Sequence, residues 1–186
     1  MTKKLNIALI GCGGWGKNIA RNLHQIGALA CIYDSDQNLS KKINQDFKLH
    51  DYTINDIFRN ENIQALVIAS SAKTHRDIAE EALKNNKDVL IEKPFCLSLN
   101  DAITLSKLAV KKNKVLMAGH LLNYHNAFIK MQDLIREGKI GETKNIRAQR
   151  LALGAIRSHE SVIYDLAVHD VSMILAIMQE LPVKIN

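Results

Sequence analysis

Three groups of side chains in this chain have types and spacings suited to chemistry. Glu92-Lys93-Pro94 stands where a strand-length run, Asp88 to Glu92, gives way to a loop. A lysine there can donate a proton to an alcohol or ketone oxygen, or accept one if its pKa is lowered. Pro94 restricts Lys93 to extended backbone, which can hold the amine across a crevice; an exposed ion pair with Glu92 is the plainer alternative. Asp165-Leu166-Ala167-Val168-His169-Asp170 sets a carboxylate and an imidazole at i and i+4, stacked on one helix face. The carboxylate can orient the ring and favour its protonated form, giving an acid–base pair, with a helix-surface ion pair as the alternative. Asp170 points elsewhere and reads as structural. The third group, Gly119-His120-Leu121-Leu122-Asn123-Tyr124-His125, offers two histidines and an amide after an apolar run. It lacks the cysteine or nearby acid of a zinc set, so no metal is expected. It reads as a polar substrate-binding segment or as a hinge between domains.

The elements that would position these groups begin with Gly11-Cys12-Gly13-Gly14-Trp15-Gly16. An apolar run, Leu5 to Ile10, precedes it, a helical pattern from Lys17 to Ile26 follows, and a second apolar run, Ala28 to Tyr33, ends on Asp34. Strand, glycine turn, helix, strand and acid is the order a dinucleotide site needs. Gly11 permits the tight turn, Gly13 lets the backbone approach a pyrophosphate, and Gly16 lets the helix pack close to the strand. The first-turn N–H groups have no partners within the helix and meet the diphosphate at the positive end of the dipole. Asp34 is placed to accept both ribose hydroxyls of an adenosine. Further alternation follows. A helix is expected over Asp36 to Asp46, a strand over Leu49 to Thr53, a short helix over Ile54 to Asn60 and a strand over Ala65 to Ala69. Thr74-x-x-Asp77 and Ser98-x-x-Asp101 read as helix starts, with strands at Asp88 to Glu92 and Val115 to Gly119. Six strands with intervening helices predict an α/β fold with a Rossmann-type doubly wound parallel sheet. Near residue 120 the pattern changes. A helix over Asn126 to Glu137, a strand over Thr143 to Leu153, a helix over Tyr164 to Met178 and a strand beginning at Val183 suggest an incomplete α+β substrate domain. The expected domains are residues 1–120, dinucleotide-binding, and 121–186.

Composition narrows the partners. The chain has 186 residues, is 47% hydrophobic and carries a formal net charge of +6. Lys41-Lys42 and Lys111-Lys112 are isolated pairs without interleaved aromatics, so an anionic cofactor or substrate fits better than nucleic acid. No apolar run approaches the ~20 residues of a membrane span. The apolar stretch behind Met1-Thr2-Lys3-Lys4 runs into the glycine loop, so it reads as a strand and not a signal peptide. Cys12, Cys31 and Cys96 have neither pairing nor metal-ligand spacing, which suits a reducing cytoplasm. Cys12 and Cys31 read as small packing residues.

Taken in order, Gly11–Gly16 with Asp34, Glu92-Lys93-Pro94 and Asp165-x-x-x-His169 resemble the Gfo/Idh/MocA oxidoreductase family. The resemblance runs from residue 4 to about residue 182. It implies NAD as cofactor, a small-molecule substrate and a homo-oligomer in the full-length family. It also implies Lys93, Asp165 and His169 as catalytic residues. Gly14, Trp15, Ser70, His75, Glu92 and Lys93 would join Gly11, Gly13, Gly16 and Asp34 around the cofactor. His120, Asn123, Tyr124, Arg150 and Arg157 would face the substrate. Within the family, Gly14 to Asn18, Gly119 to His125 and Asp165 to Asp170 look most like nucleotide-sugar dehydrogenases that oxidise the 3-hydroxyl of a UDP-sugar. Asn126, Tyr164, Val168 and Ser70-Ser71-Ala72 depart from the family's usual proline and tryptophan positions, and none of these removes a catalytic group. The family completes its second domain with a large open antiparallel sheet, of which this chain would hold only the beginning. A dinucleotide-binding remnant without turnover is therefore the alternative to an active sugar dehydrogenase.

Overall fold

The computed structural model describes residues 5–151 and 161–185, and the chain divides into two compact units, Met1–Gly119 and His120–Asn186. In the first unit the elements run β1 (Ile7–Ile10), α1 (Gly14–Gln25), β2 (Leu29–Tyr33), α2 (Gln37–Asp46), α3 (Ile54–Arg59), β3 (Ala65–Ile68), α4 (Ala72–Lys84), β4 (Asp88–Glu92), α5 (Leu99–Lys112) and β5 (Leu116–Gly119). The strands are all parallel, in the order β2-β1-β3-β4-β5. The strand sequences IALI, LACIY and ALVI are apolar on both faces because both are covered. Ala8, Ile10, Leu66, Ile68, Val89 and Ile91 pack with α3, α4 and α5 residues such as Ile57, Leu83 and Leu105. Leu9 and Val67 point the other way and pack with Ala20 of α1 and Ile43 of α2. A register shift opposite Ile7 and Ala8 lets Leu29 and Ile32 share that second face while Cys31 joins the first. Leu9, Leu66, Ile68 and Ile91 are 0% exposed, and each such side chain contributes about 1.5–3 kcal/mol by leaving water.

The sheet has five strands, and the strand expected at Leu49 to Thr53 is absent. Local chemistry explains why. Lys48 turns left-handed (φ 57°) at the end of α2, and the Leu49 N–H closes that end on the Asn44 carbonyl at 2.8 Å. Thr53 already caps α3 through reciprocal bonds with Asp56, so no length remains for a ladder. The outer edge of β2 is instead satisfied at Ile32 by the buried Asn44 amide. Its Oδ1 accepts from the Ile32 N–H and its Nδ2 donates to the Ile32 carbonyl, both at 2.9 Å. Helix α4 also starts earlier than Thr74, because Ser71 is the cap residue and the Thr74 hydroxyl donates to the Ser71 carbonyl at 2.8 Å.

The second unit holds a 3₁₀ turn (Leu121–Tyr124), α6 (Asn126–Arg136), a π-helical turn (Ile163–Ala167) and α7 (Val168–Met178). His125 caps α6 by accepting from the Ala127 N–H through Nδ1 at 3.3 Å. The strand expected from Thr143 does not form over residues 143–151, and Leu153 lies outside the described residues. A strand exists only through its partner's hydrogen bonds, and no neighbouring strand flanks this segment among the described residues. Residues 183–185 form no strand either. No helix among the described residues is long and apolar enough to cross a membrane.

Candidate active site

In a sheet of order β2-β1-β3-β4-β5, the loops after β1 and β3 leave in opposite directions, opening a crevice beyond the strands' carboxyl ends. A cleft of about 390 Å³ sits there, walled by Gly11 and Gly13, by Tyr33 and Asp34, and by Ser70 and Thr74. Gly11 has φ +93°, and a Cβ there would lie 2.5 Å from the Ser70 N. Only glycine permits both that turn and that approach. A Cβ on Gly16 would strike the Gly11 carbonyl, whereas one on Gly13 or Gly14 would meet nothing within 4 Å. The loop is therefore tight where helix meets strand and open where a diphosphate would lie. No side chain caps α1 and no acid occupies its first turn, so its leading N–H groups face that open space.

Asp34 is fixed before any ligand arrives. Its Oδ2 accepts from the Cys12 N–H at 2.7 Å, and its Oδ1 accepts from the Asp36 N–H at 3.0 Å. The carboxylate thus ties the glycine loop to the end of β2 on the cleft wall. Trp15, the chain's single tryptophan, is 47% exposed beside the open glycines. The Ser70 and Thr74 hydroxyls lie 2.8 Å apart on the opposite wall. These features fit a dinucleotide. Burial pushes the Cys31 thiol up to about 12 and raises that of Cys12, helped by the Asp34 charge. Both cysteines are packing groups and poor nucleophiles.

At the end of β4, the Glu92 carboxylate rests over Gly119, where a Cβ would lie 3.1 Å from it. Its Oε2 is 3.4 Å from the Lys93 N–H. The Lys93–Pro94 peptide is cis, a feature that the sequence did not announce. His75 departs from the expectation that it lines the cofactor. It is 1% exposed, with Nδ1 2.9 Å from the Pro94 carbonyl and Nε2 3.1 Å from the Ser70 carbonyl. Both ring nitrogens face backbone carbonyls, and the ring is buried.

In the second unit, Asp165 lies within the π-helical turn and His169 in the first turn of α7. Such single π turns recur at functional sites, and here one separates the two members of the pair. The Ser172 hydroxyl donates to the His169 carbonyl at 2.7 Å. His120 precedes the 3₁₀ turn and Asn123 lies within it; among the described residues the buried Asn123 Oδ1 has no hydrogen-bond partner, while Tyr124 is 64% exposed. Arg150 departs from a free substrate contact. It forks onto Asp170, Nε to Oδ2 at 3.2 Å and an Nη to Oδ1 at 3.0 Å, and that bond raises its pKa. Asp170, read from the sequence as structural, is thus paired with Arg150. Arg157 lies outside the described residues. Among the described residues no three His, Cys, Asp or Glu side chains gather as a metal set.

Comparison with known proteins gives a consistent picture. Residues 5–120 match the Gfo/Idh/MocA family, described as an oxidoreductase family with an NAD-binding Rossmann fold. The chain is similar to a UDP-N-acetylglucosamine 3-dehydrogenase of Acidithiobacillus ferrooxidans, at 28% identity over 98% of this chain and 57% of that protein. The solved structure of that dehydrogenase superposes with a TM-score of 0.87 at 26% identity, over 98% of this chain and 59% of the other. A 2,7-anhydro-N-acetylneuraminate hydratase of Escherichia coli is 27% identical over 78% of this chain and 40% of its own. The chain spans about half the length of the curated relatives it matches. By its glycine loop, its sheet order and this match, the chain belongs to the Gfo/Idh/MocA family of NAD-binding oxidoreductases.

Proposed function

We propose that the chain is an NAD-dependent dehydrogenase acting on a sugar hydroxyl, with a UDP-sugar oxidised at its 3-hydroxyl as the substrate class. The observation that carries the reading is the dinucleotide cleft with Asp34 on its wall and Lys93 at the carboxyl end of β4 in the same unit. Similarity to the 3-dehydrogenase over nearly the whole chain supports the choice of sugar class. Gly11, Gly13, Gly14, Gly16 and Trp15 would hold the diphosphate region and Asp34 the adenosine ribose; bound NAD supplies a two-electron hydride acceptor. The sugar hydroxyl gives its proton to a neutral His169, or to a neutral Lys93, as its carbon loses hydride. Asp165 orients His169 and favours the imidazolium that forms on transfer; with His169 as the base, the Lys93 ammonium steadies the developing alkoxide. His120, Asn123 and Tyr124 would contact the sugar nucleotide.

The second reading, a dinucleotide-binding protein without turnover, draws on the first unit alone being rich in buried side chains. A dehydrogenase assay separates the two. Absorbance growth at the NADH band on a UDP-sugar panel is expected for the enzyme, and NAD binding without it would leave only the second reading.

A further inference from the structure

We infer that His75 is the positioning residue for Lys93, acting through the Pro94 carbonyl and not through the cofactor. This inference rests on the role proposed above for Lys93. His75 is the fourth residue of α4, and its ring is buried between two loops of the first unit. Its Nε2 lies 3.1 Å from the Ser70 carbonyl. Its long-range contact spans nineteen positions, from Nδ1 to the Pro94 carbonyl at 2.9 Å. Carbonyl oxygens can only accept, so a ring N–H must serve at least one of them. The Pro94 contact is the shorter and is buried, whereas the Ser70 contact is partly open to solvent that could supply a donor. The Nδ1–H is therefore assigned to Pro94, because an unserved buried carbonyl is the more costly of the two.

The consequence falls on Lys93. On one side its N–H meets the Glu92 carboxylate, which is seated over Gly119. On the other side the next carbonyl is pinned by His75. The backbone around the lysine is thus held on both sides, by Glu92 and by His75. A displacement of about 1 Å at a reacting group can cost on the order of 10²-fold in rate, so such a clamp has catalytic weight.

Conservative variants can divide the two contacts. In His75→Asn the amide donor stands near the place of Nδ1 and can still serve Pro94; in His75→Gln it stands near Nε2 and serves Ser70. Amine-labelling rates, read lysine by lysine by mass spectrometry on the full chain, report Lys93 without requiring turnover. In His75→Ala, Lys93 labelling is expected to change about three- to tenfold relative to Lys17 and Lys41, the weight of one hydrogen bond. His75→Asn should restore it and His75→Gln should not. Where the wild type turns over a UDP-sugar, His75→Ala should lower kcat about 10- to 10²-fold with KM and NAD affinity little changed. Equal behaviour of the Asn and Gln variants, or a uniform change at all lysines, would overturn the assignment. A wild-type chain without turnover would count against the proposed function and leave the labelling result to judge His75. Gly119→Ala approaches the clamp from its other end and should alter Lys93 labelling in the same experiment; no change there would contradict the seating of Glu92.

Discussion

The two units of this chain carry their chemistry in different ways. Among the described residues, every buried apolar side chain except Phe128 belongs to the first unit. There most of the candidate site is backbone, with glycine N–H groups, a loop pinned by Asp34 and carbonyls facing His75, and the Lys93 side chain joins it at the end of β4. In the second unit the candidate groups are side chains, Asp165 and His169, on a helix that leaves Val171 and Met178 substantially exposed. A groove of about 700 Å³ runs along the apolar sides of α6 and α7, past Met131, Ile135, Met173 and Ile177. Under the roles proposed above, the difference separates binding from catalysis. A backbone site inherits the rigidity of the core beneath it, whereas a side-chain pair depends on one rotamer and one helix.

The separation can be broken most sharply by side-chain deletion. Lys93→Ala and His169→Ala should each lower turnover about 10²–10⁴-fold, the usual weight of acid–base catalysis, with NAD affinity nearly unchanged. Steady-state kinetics beside calorimetric titration would check this, and parallel losses in both would erase the distinction. Next in size is Gly11→Ala, which forces a Cβ against the Ser70 and Ala69 backbone at φ +93°. Overpacking of this kind costs about 1–3 kcal/mol, so NAD affinity should fall roughly 5- to 10²-fold. Asn44→Ala would leave the buried Ile32 N–H and carbonyl unserved and should destabilise the first unit by about 1–3 kcal/mol in denaturant unfolding. Arg150→Ala should matter least. Its pair with Asp170 is partly exposed, and about 0–1 kcal/mol is the expected loss in thermal unfolding.

Much of the first unit was legible because its signals are local. The glycine spacing, the acid at the end of β2 and the apolar strand runs each follow from residues within one turn or strand. What escaped depends on distant partners. The strand expected at Leu49 fails because Asn44 reaches back to serve the β2 edge, and the one expected at Thr143 fails for want of a neighbour. Resemblance placed His75 beside the cofactor, but its ring lies between two carbonyls, one of them nineteen positions away. The fork from Arg150 to Asp170 likewise spans twenty positions and has no local signature. The π turn at Asp165 left its trace only as an unbroken apolar helix pattern. Sequence thus offered candidate groups, while long-range hydrogen bonds fixed the partners of His75 and Arg150.

The central claim is that the first unit is an NAD site whose cofactor choice is set by Asp34. Trp15, the single tryptophan, stands beside the open glycines and makes its emission a direct reporter. Titration of the full chain with NAD and NADP should show NAD bound and NADP much weaker. The added phosphate would face the Asp34 carboxylate, and like charges ~4 Å apart cost about 4 kcal/mol at an effective dielectric of 20. Asp34→Ala should narrow the gap. Equal affinity for the two cofactors in the wild type, or no binding of either, would contradict the account.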